Sequence, residues 1–245
     1  DLSHFQLACR MVPFRWLAIA LVCLSVQGFA PSRPFKQPSQ LLLSSTATPI
    51  AQLGTMEDCL TILSRAAETK SEDTEVVSQA LESLEKLTRK AAKEDPEFAK
   101  TMRDRLNGSW RLIFTTGTKN TQERYGQINY FPLKAIQSFD AENNIENGIY
   151  VGDFNLVKFS GTFDFDLKKR RLEFDFDQIK LLSFLDIQLG KGKAAELGAS
   201  SGLGSESNVE NSKRDKKAFF NWISADETIA TARGGGGGLA LWKRI

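Results

Sequence analysis

Three groups of residues in this 245-residue chain could carry chemistry: five consecutive glycines, Gly234 to Gly238, a run of carboxylates in "GTFDFDLKKRRLEFDFDQI" (161–179), and the acidic pair Asp226 and Glu227. A glycine run can cradle phosphate, hinge two domains or reverse a strand. A Walker loop needs a Lys-Ser or Lys-Thr after its last glycine and a helix to open, and the dinucleotide fingerprint must also precede a helix. Here the run leads into Leu239-Ala240-Leu241-Trp242, an alternating stretch that reads as a strand. The flanks "TIATA" and "GLALW" predict a hairpin, for which glycine supplies positive φ without steric cost. A tight turn needs fewer than five glycines, and the sequence does not say why there are so many.

In the second group, Asp164, Asp166, Glu173, Asp175 and Asp177 fall on one face of a predicted hairpin that turns at Lys168-Lys169-Arg170. Like charges facing across strands repel, which raises the question of a cation among them. Calcium takes oxygen ligands, but no loop with calcium-binding spacing is present, and the plainer reading is a solvated outer face balanced by the basic turn. The opposite face carries Phe163, Phe165 and Leu167 against Leu172, Phe174 and Phe176, and Phe220 and Trp222 on a later strand extend it if the register agrees. These rings either fill an interior as core or line an apolar cavity for a hydrophobic ligand. At about 25 cal/mol per Å² of apolar area, burial alone would hold a long hydrocarbon without a charged anchor.

Several chemistries are missing. The one histidine, His4, and two of three cysteines, Cys9 and Cys23, lie in an N-terminal segment expected to be removed, which leaves Cys59 alone. Without imidazole the mature chain has no Ser-His-Asp or Cys-His mechanism and no His-ligated metal, and one thiol builds neither a disulfide framework nor a thiolate zinc site. The expectation is a protein that is not an enzyme, with no catalytic residue, no metal and no cofactor. A net charge of +2 with 41% hydrophobic residues does not point to nucleic acid.

The elements that would position these groups divide the chain in three. From Met11, one basic residue, Arg15, precedes an apolar stretch from Trp16 to Val26 that ends at Gln27-Gly28, the shape of a signal peptide. Behind it come Arg33, Lys36, many Ser and Thr, and no acidic residue before Glu57, the composition of a transit peptide. Residues 1–55 are therefore expected to be targeting sequence, with 1–10, ahead of the first Met, an upstream extension. Residues 56–107 read as a helical section: Ser71 as a cap with Glu72, Asp73 and Glu75 behind it, one apolar face through Val77, Ala80, Leu81, Leu84, Leu87 and Ala91, and a second short helix from Asp95-Pro96. Its polar face mixes both charges, which favours packing on the following domain over a membrane-surface helix. After Gly108 the period becomes two. "SWRLIFTT", "GQINYF", "NGIYVGDF", "GTFDFDL", "RLEFDFDQIKLL", "KAFFNWIS", "TIATA" and "GLALWKR" are short, aromatic and β-branched, and separated by turn residues. The domain at 108–245 is thus expected to be mainly β, an up-and-down barrel or a sandwich, with residues 190–217 a flexible loop.

"LNGSWRLIFTTG" and the ending "DETIATARGGGGGLALWKR" resemble the opening and closing motifs of the plastid lipid-associated protein family, the fibrillins, over roughly residues 56–245. The resemblance implies a lipocalin-like antiparallel β-barrel behind short N-terminal helices. It also implies a plastid location at plastoglobules or thylakoids, and binding or organising of hydrophobic lipids such as carotenoids, quinones or fatty acids. The presequence resembles the bipartite plastid-targeting type of diatoms and related algae, with Phe29 at its junction. Gly108 and Trp110 match the opening Gly-x-Trp, Asp226 and Glu227 an acidic pair before the last hairpin, and Arg233, Gly234 and Gly238 its turn. Gly235 stands where many members carry an acidic residue, and Ala230 where many carry arginine, so any role for charges at this rim is in doubt. An indole large enough to plug one barrel end invites an arginine to stack on it, Arg233 or Arg244. The implied partners are a hydrophobic lipid ligand, a plastid membrane or plastoglobule surface, and a protein of the plastid. Two rivals remain: an enzyme on the same barrel using Asp226 and Glu227, and an accessory to a lipid-synthesising enzyme or thylakoid complex.

Overall fold

A computed structural model describes residues 53–118, 122–123, 129–190, 193–200 and 216–245. The targeting segment and the junction at Phe29 lie outside them. Among the described residues two antiparallel helices come first, α1 (Met56–Thr69) and α2 (Thr74–Glu94). Thr55 and Asp58 close a reciprocal capping box on α1, and Lys70 ends it in the left-handed conformation. The cap of α2 is Asp73, whose carboxylate accepts from the amides of Glu75 and Val76; Ser71, expected in that role, sits two residues too early, in the connection. The shift is physical: a carboxylate at the helix N-terminus meets both the free amides and the positive end of the dipole. The third helix, α3 (Phe98–Arg105), begins after Asp95-Pro96, with Asp95 Oδ1 accepting from the Glu97 amide.

Among the described residues ten strands follow: β1 (Gly108–Thr115), β2 (Asn129–Tyr130), β3 (Lys134–Phe139), β4 (Asn144–Val151), β5 (Phe154–Asp166), β6 (Arg171–Leu181), β7 (Leu185–Gln188), β8 (Ala218–Ala225), β9 (Ile229–Gly234) and β10 (Leu239–Arg244). All pairings are antiparallel. Eight strands run β1-β3-β4-β5-β6-β8-β9-β10, and β10 pairs back onto β1 from Trp110↔Arg244 to Thr115↔Ala240, so the sheet closes into a ring. Short β2 and β7 hang on β1 and β6. Closure satisfies the ladder groups that an edge would leave bare. Two of the strands give no clear signal in the sequence. In "KAIQSF" (β3) the inner positions are small, polar and aromatic in turn (Ala135, Gln137, Phe139), which blurs the alternation, and β7 is exposed throughout. Within the expected 190–217 loop a helix forms, α4 (Lys193–Ser200), and Ala194 packs on the sheet.

A bulge between Ser160 and Gly161 leaves Asp177 without a partner on β5 and shifts the inward phase of β6. Leu172 and Phe174 are buried before it, Ile179 and Leu181 after it. Both faces of β8, β9, β10 and the end of β1 are covered. Outside, α1 and α2 pack Leu63, Val77, Leu81 and Leu84 on Ile113, Ile223, Ile229 and Leu241. Inside lie Trp110, Trp222, Ala230, Ala232 and Trp242. Each fully buried large side chain here contributes on the order of 2 kcal/mol. The helical section therefore packs on the domain that follows, as its mixed polar face predicts.

Candidate functional site

The ring interior holds one cluster of aromatic side chains. The expected register of the hairpin is met: Phe163 lies opposite Phe174, Phe165 opposite Leu172, and β8 brings Phe220 opposite Leu172. Ring centroids of Phe174 and Phe220 stack at 5.3 Å, Phe174 and Phe176 stand at 5.2 Å, Phe220 and Trp222 at 6.0 Å, and Phe139 meets both Phe163 and Trp222 edge-on. Contacts of this kind add about 0.5–1.5 kcal/mol beyond area burial. The structure therefore gathers Phe163, Phe174, Phe176, Phe220 and Trp222, with Phe165 against the same cluster. Leu167 is not among them. It is 46% exposed, because the chain has already entered the turn that ends at Arg170 with φ +52°.

The two ends of the ring differ. At one end α3 inserts Met102 and Leu106 over Trp110, which is fully buried and donates from its indole N–H to the Leu106 carbonyl at 2.8 Å. Arg244 lies over this ring with its guanidinium carbon 4.2 Å from the centroid, and donates to the Asn107 carbonyl at 2.8 Å. Gly108 stands beside it at φ +122°, where a Cβ would come within 2.8 Å of the guanidinium. Of the two arginines proposed for the stack, Arg244 takes it. Arg233 instead binds Glu85 of α2 and the Gly237 carbonyl. Asp226 is consumed by its own turn, its Oδ1 accepting from the Thr228 and Ile229 amides and the Thr228 hydroxyl. Glu227 is exposed and 3.8 Å from Arg105.

Toward the other end, where the glycine run lies, inward side chains keep partial exposure. Leu112, Phe176, Ala218, Phe220 and Ala240 all pack on the aromatic cluster yet none is fully covered. Leu112 and Phe176 also touch a second inner cluster, Ala135, Ile149, Val157, Phe159, Ile179 and Leu181, onto which α4 packs Ala194. The glycine run closes a hairpin, as expected, and two of its positions require glycine. Gly237 sits at φ +88°, and a Cβ on Gly238 would come 2.3 Å from the Gly117 carbonyl oxygen. Gly234 has ordinary space around it.

Two further features, the first at this end, leave no signal in the sequence. The β4–β5 turn and the β6–β7 turn lie side by side, Ser183 Oγ donating to the Asn155 carbonyl and accepting from its amide. Their tips present Val151, Phe154, Phe184 and Leu185 to solvent, Phe184 at 76% exposure. The second feature is polar: Gln137, Asn155 and Trp222 are buried within the ring with a side-chain nitrogen or oxygen lacking any partner.

Outside, three of the five ladder carboxylates pair with basic neighbours. Asp164 meets Lys217 at 2.6 Å, Asp166 meets Lys169 at 3.0 Å, and Glu173 lies 3.7 Å from Arg171. Among the described residues no group of three or more His, Cys, Asp or Glu could hold a metal ion, and no helix is long and apolar enough to cross a membrane. Cys59 is buried in the α1 face, and desolvation pushes its thiol above the ordinary range.

Compared with known proteins, the sequence profile of the PAP_fibrillin family matches residues 55–242, most of the chain. No curated protein matches it. A crystal structure of an uncharacterized protein from Bacteroides eggerthii DSM 20697 aligns with 57% of this chain and 99% of its own at 11% identity. Its TM-score is 0.36, too slight a likeness to bear on fold or chemistry.

Proposed function

Because the chain belongs to the PAP/fibrillin family, whose members are in general plastid lipid-associated proteins, we propose that it holds hydrophobic lipid inside a lipocalin-like barrel and carries out no reaction on it. The observation that carries this reading is the inner wall. Phe176 and Phe220, incompletely covered toward the glycine end, stand in ring contact with the buried Phe174 and Trp222. Such a wall suits an apolar ligand held by area burial. In support of a non-catalytic role, the carboxylates best placed to act, Asp226 and Glu227, serve a turn and an exposed ion pair.

The lipid classes proposed are quinone, carotenoid or fatty acid. The site of action is a plastoglobule or thylakoid surface, met by the apolar tips Val151, Phe154, Phe184 and Leu185 beside the partly open end of the ring. Residues 1–55 would serve import and be removed, in the manner of a diatom-like bipartite presequence, with 56–107 and 108–245 as the mature helical and barrel parts. Protein isolated from its own plastids should yield the same apolar lipid in repeated extractions. Lipid-free protein in every preparation would refute the carrier reading, and turnover of an added lipid would establish the enzyme instead.

A further inference from the structure

Gln137 faces into the ring. On β3 it alternates with Ala135 and Phe139, which belong to the two inner clusters, and it is 4% exposed with its side-chain nitrogen unpartnered. Its direct cross-strand neighbour on β4 is Asn147, which shares that inward face because Asn147 also lies opposite the inward Phe159. On β8, Trp222 is 1% exposed and its indole N–H has no partner either. Phe139 links the two sites: it follows Gln137 on the same face, and its ring meets Trp222 at 5.7 Å. Trp110 shows what such an indole does when its place is purely structural, since it donates to a backbone carbonyl.

A buried donor left unmade costs about 1–3 kcal/mol, so a pair of them in an interior that is apolar apart from Asn147 and Asn155 calls for an acceptor. Indole only donates, whereas either end of an amide can turn to meet a ligand. The inward strand positions described above carry no charged side chain, and Arg103 of α3, over Phe163 at 4.9 Å, is already bound to Asn107, Asn143 and the Asp140 carbonyl, which disfavours an ionised head. We propose that Gln137 and Trp222 read an uncharged carbonyl oxygen on the bound lipid, making this a site for a quinone or keto-bearing lipid over a plain hydrocarbon. The proposal rests on the lipid-holding reading and sharpens it.

The test offers the full chain two probes from the same detergent micelles, decylubiquinone and dodecylbenzene, with binding read by native mass spectrometry. Wild type should prefer the quinone about tenfold, and Gln137→Met should lower quinone affinity about fivefold while leaving dodecylbenzene within about twofold, the size of one net hydrogen bond. The ligand-free melting temperature of Gln137→Met should not fall, since an unpaired amide has been removed. Trp222→Phe keeps the ring, drops the donor and should reproduce the selective loss, which decides the matter should Gln137→Met fold poorly. Equal binding of the two probes by wild type, or a quinone preference untouched in both variants, would overturn the proposal while the carrier reading stands. Binding of neither probe would remove both.

Discussion

Arg233 and Glu85, 148 residues apart, form a bidentate ion pair: Arg233 Nε donates to the two carboxylate oxygens at 3.0 and 3.1 Å, and Nη2 to Oε2 at 2.6 Å. The same guanidinium donates from Nη1 to the Gly237 carbonyl at 2.6 Å, so one side chain ties α2 to the last hairpin turn. Burial by itself would raise the Glu85 carboxyl, but the hydrogen bonds and charge of Arg233 override it, and the group is held below its ordinary range. The reciprocal effect raises Arg233. Glu85→Gln should therefore cost about 2 kcal/mol at neutral pH, measured by urea unfolding. A depressed carboxylate stabilises fully above its unfolded value of about 4.3 and loses that stabilisation as pH falls through the folded value. The gap between wild type and Glu85→Gln should close across that acidic window and stay constant from about pH 5 to 8.

Arg244→Lys should cost about 1–2 kcal/mol, because an ammonium cannot both stack flat on Trp110 and reach the Asn107 carbonyl. Near-ultraviolet circular dichroism of the indole checks it, with a change in the Trp110 band expected even where the fold is retained.

Within the glycine run the positions are unequal. Gly238→Ala drives a Cβ against the Gly117 carbonyl and should destabilise by about 1–3 kcal/mol, whereas Gly234→Ala meets only ordinary contacts and should stay within about 0.5 kcal/mol of wild type. Urea midpoints of the two variants, compared directly, decide it.

Phe184→Ser combined with Leu185→Ser should at least halve co-flotation with uncharged galactolipid vesicles. Both side chains are exposed, so the melting temperature should move by no more than roughly 2 °C. Unchanged flotation would remove the turn tips from the lipid-surface reading.

Much of the fold is legible in the order of residues alone. Alternation is a local property, so the hairpin of Phe163 against Phe174 and the reversal at the glycines follow from side-chain period and turn chemistry. The start of α2 is ambiguous by two residues because Ser71 and Asp73 both suit the cap, and the structure gives the role to the Asp73 carboxylate. β3 is hidden because its inner face mixes alanine, glutamine and phenylalanine, a pattern that becomes coherent only between β1 and β4.

What the chain by itself determined is local: a helical section, then alternating strands, with aromatic rings on one face and carboxylates on the other, and no imidazole beyond His4. The tertiary structure decided everything that depends on which distant residues meet. Pairing of β10 with β1 closed the ring, Arg244 rather than Arg233 reached Trp110, and Gly117 approached Gly238 so closely that no side chain fits. It also placed the unpaired nitrogens of Gln137 and Trp222 inside. Periodicity says which side of a strand a residue occupies; only closure of the sheet says what stands across from it.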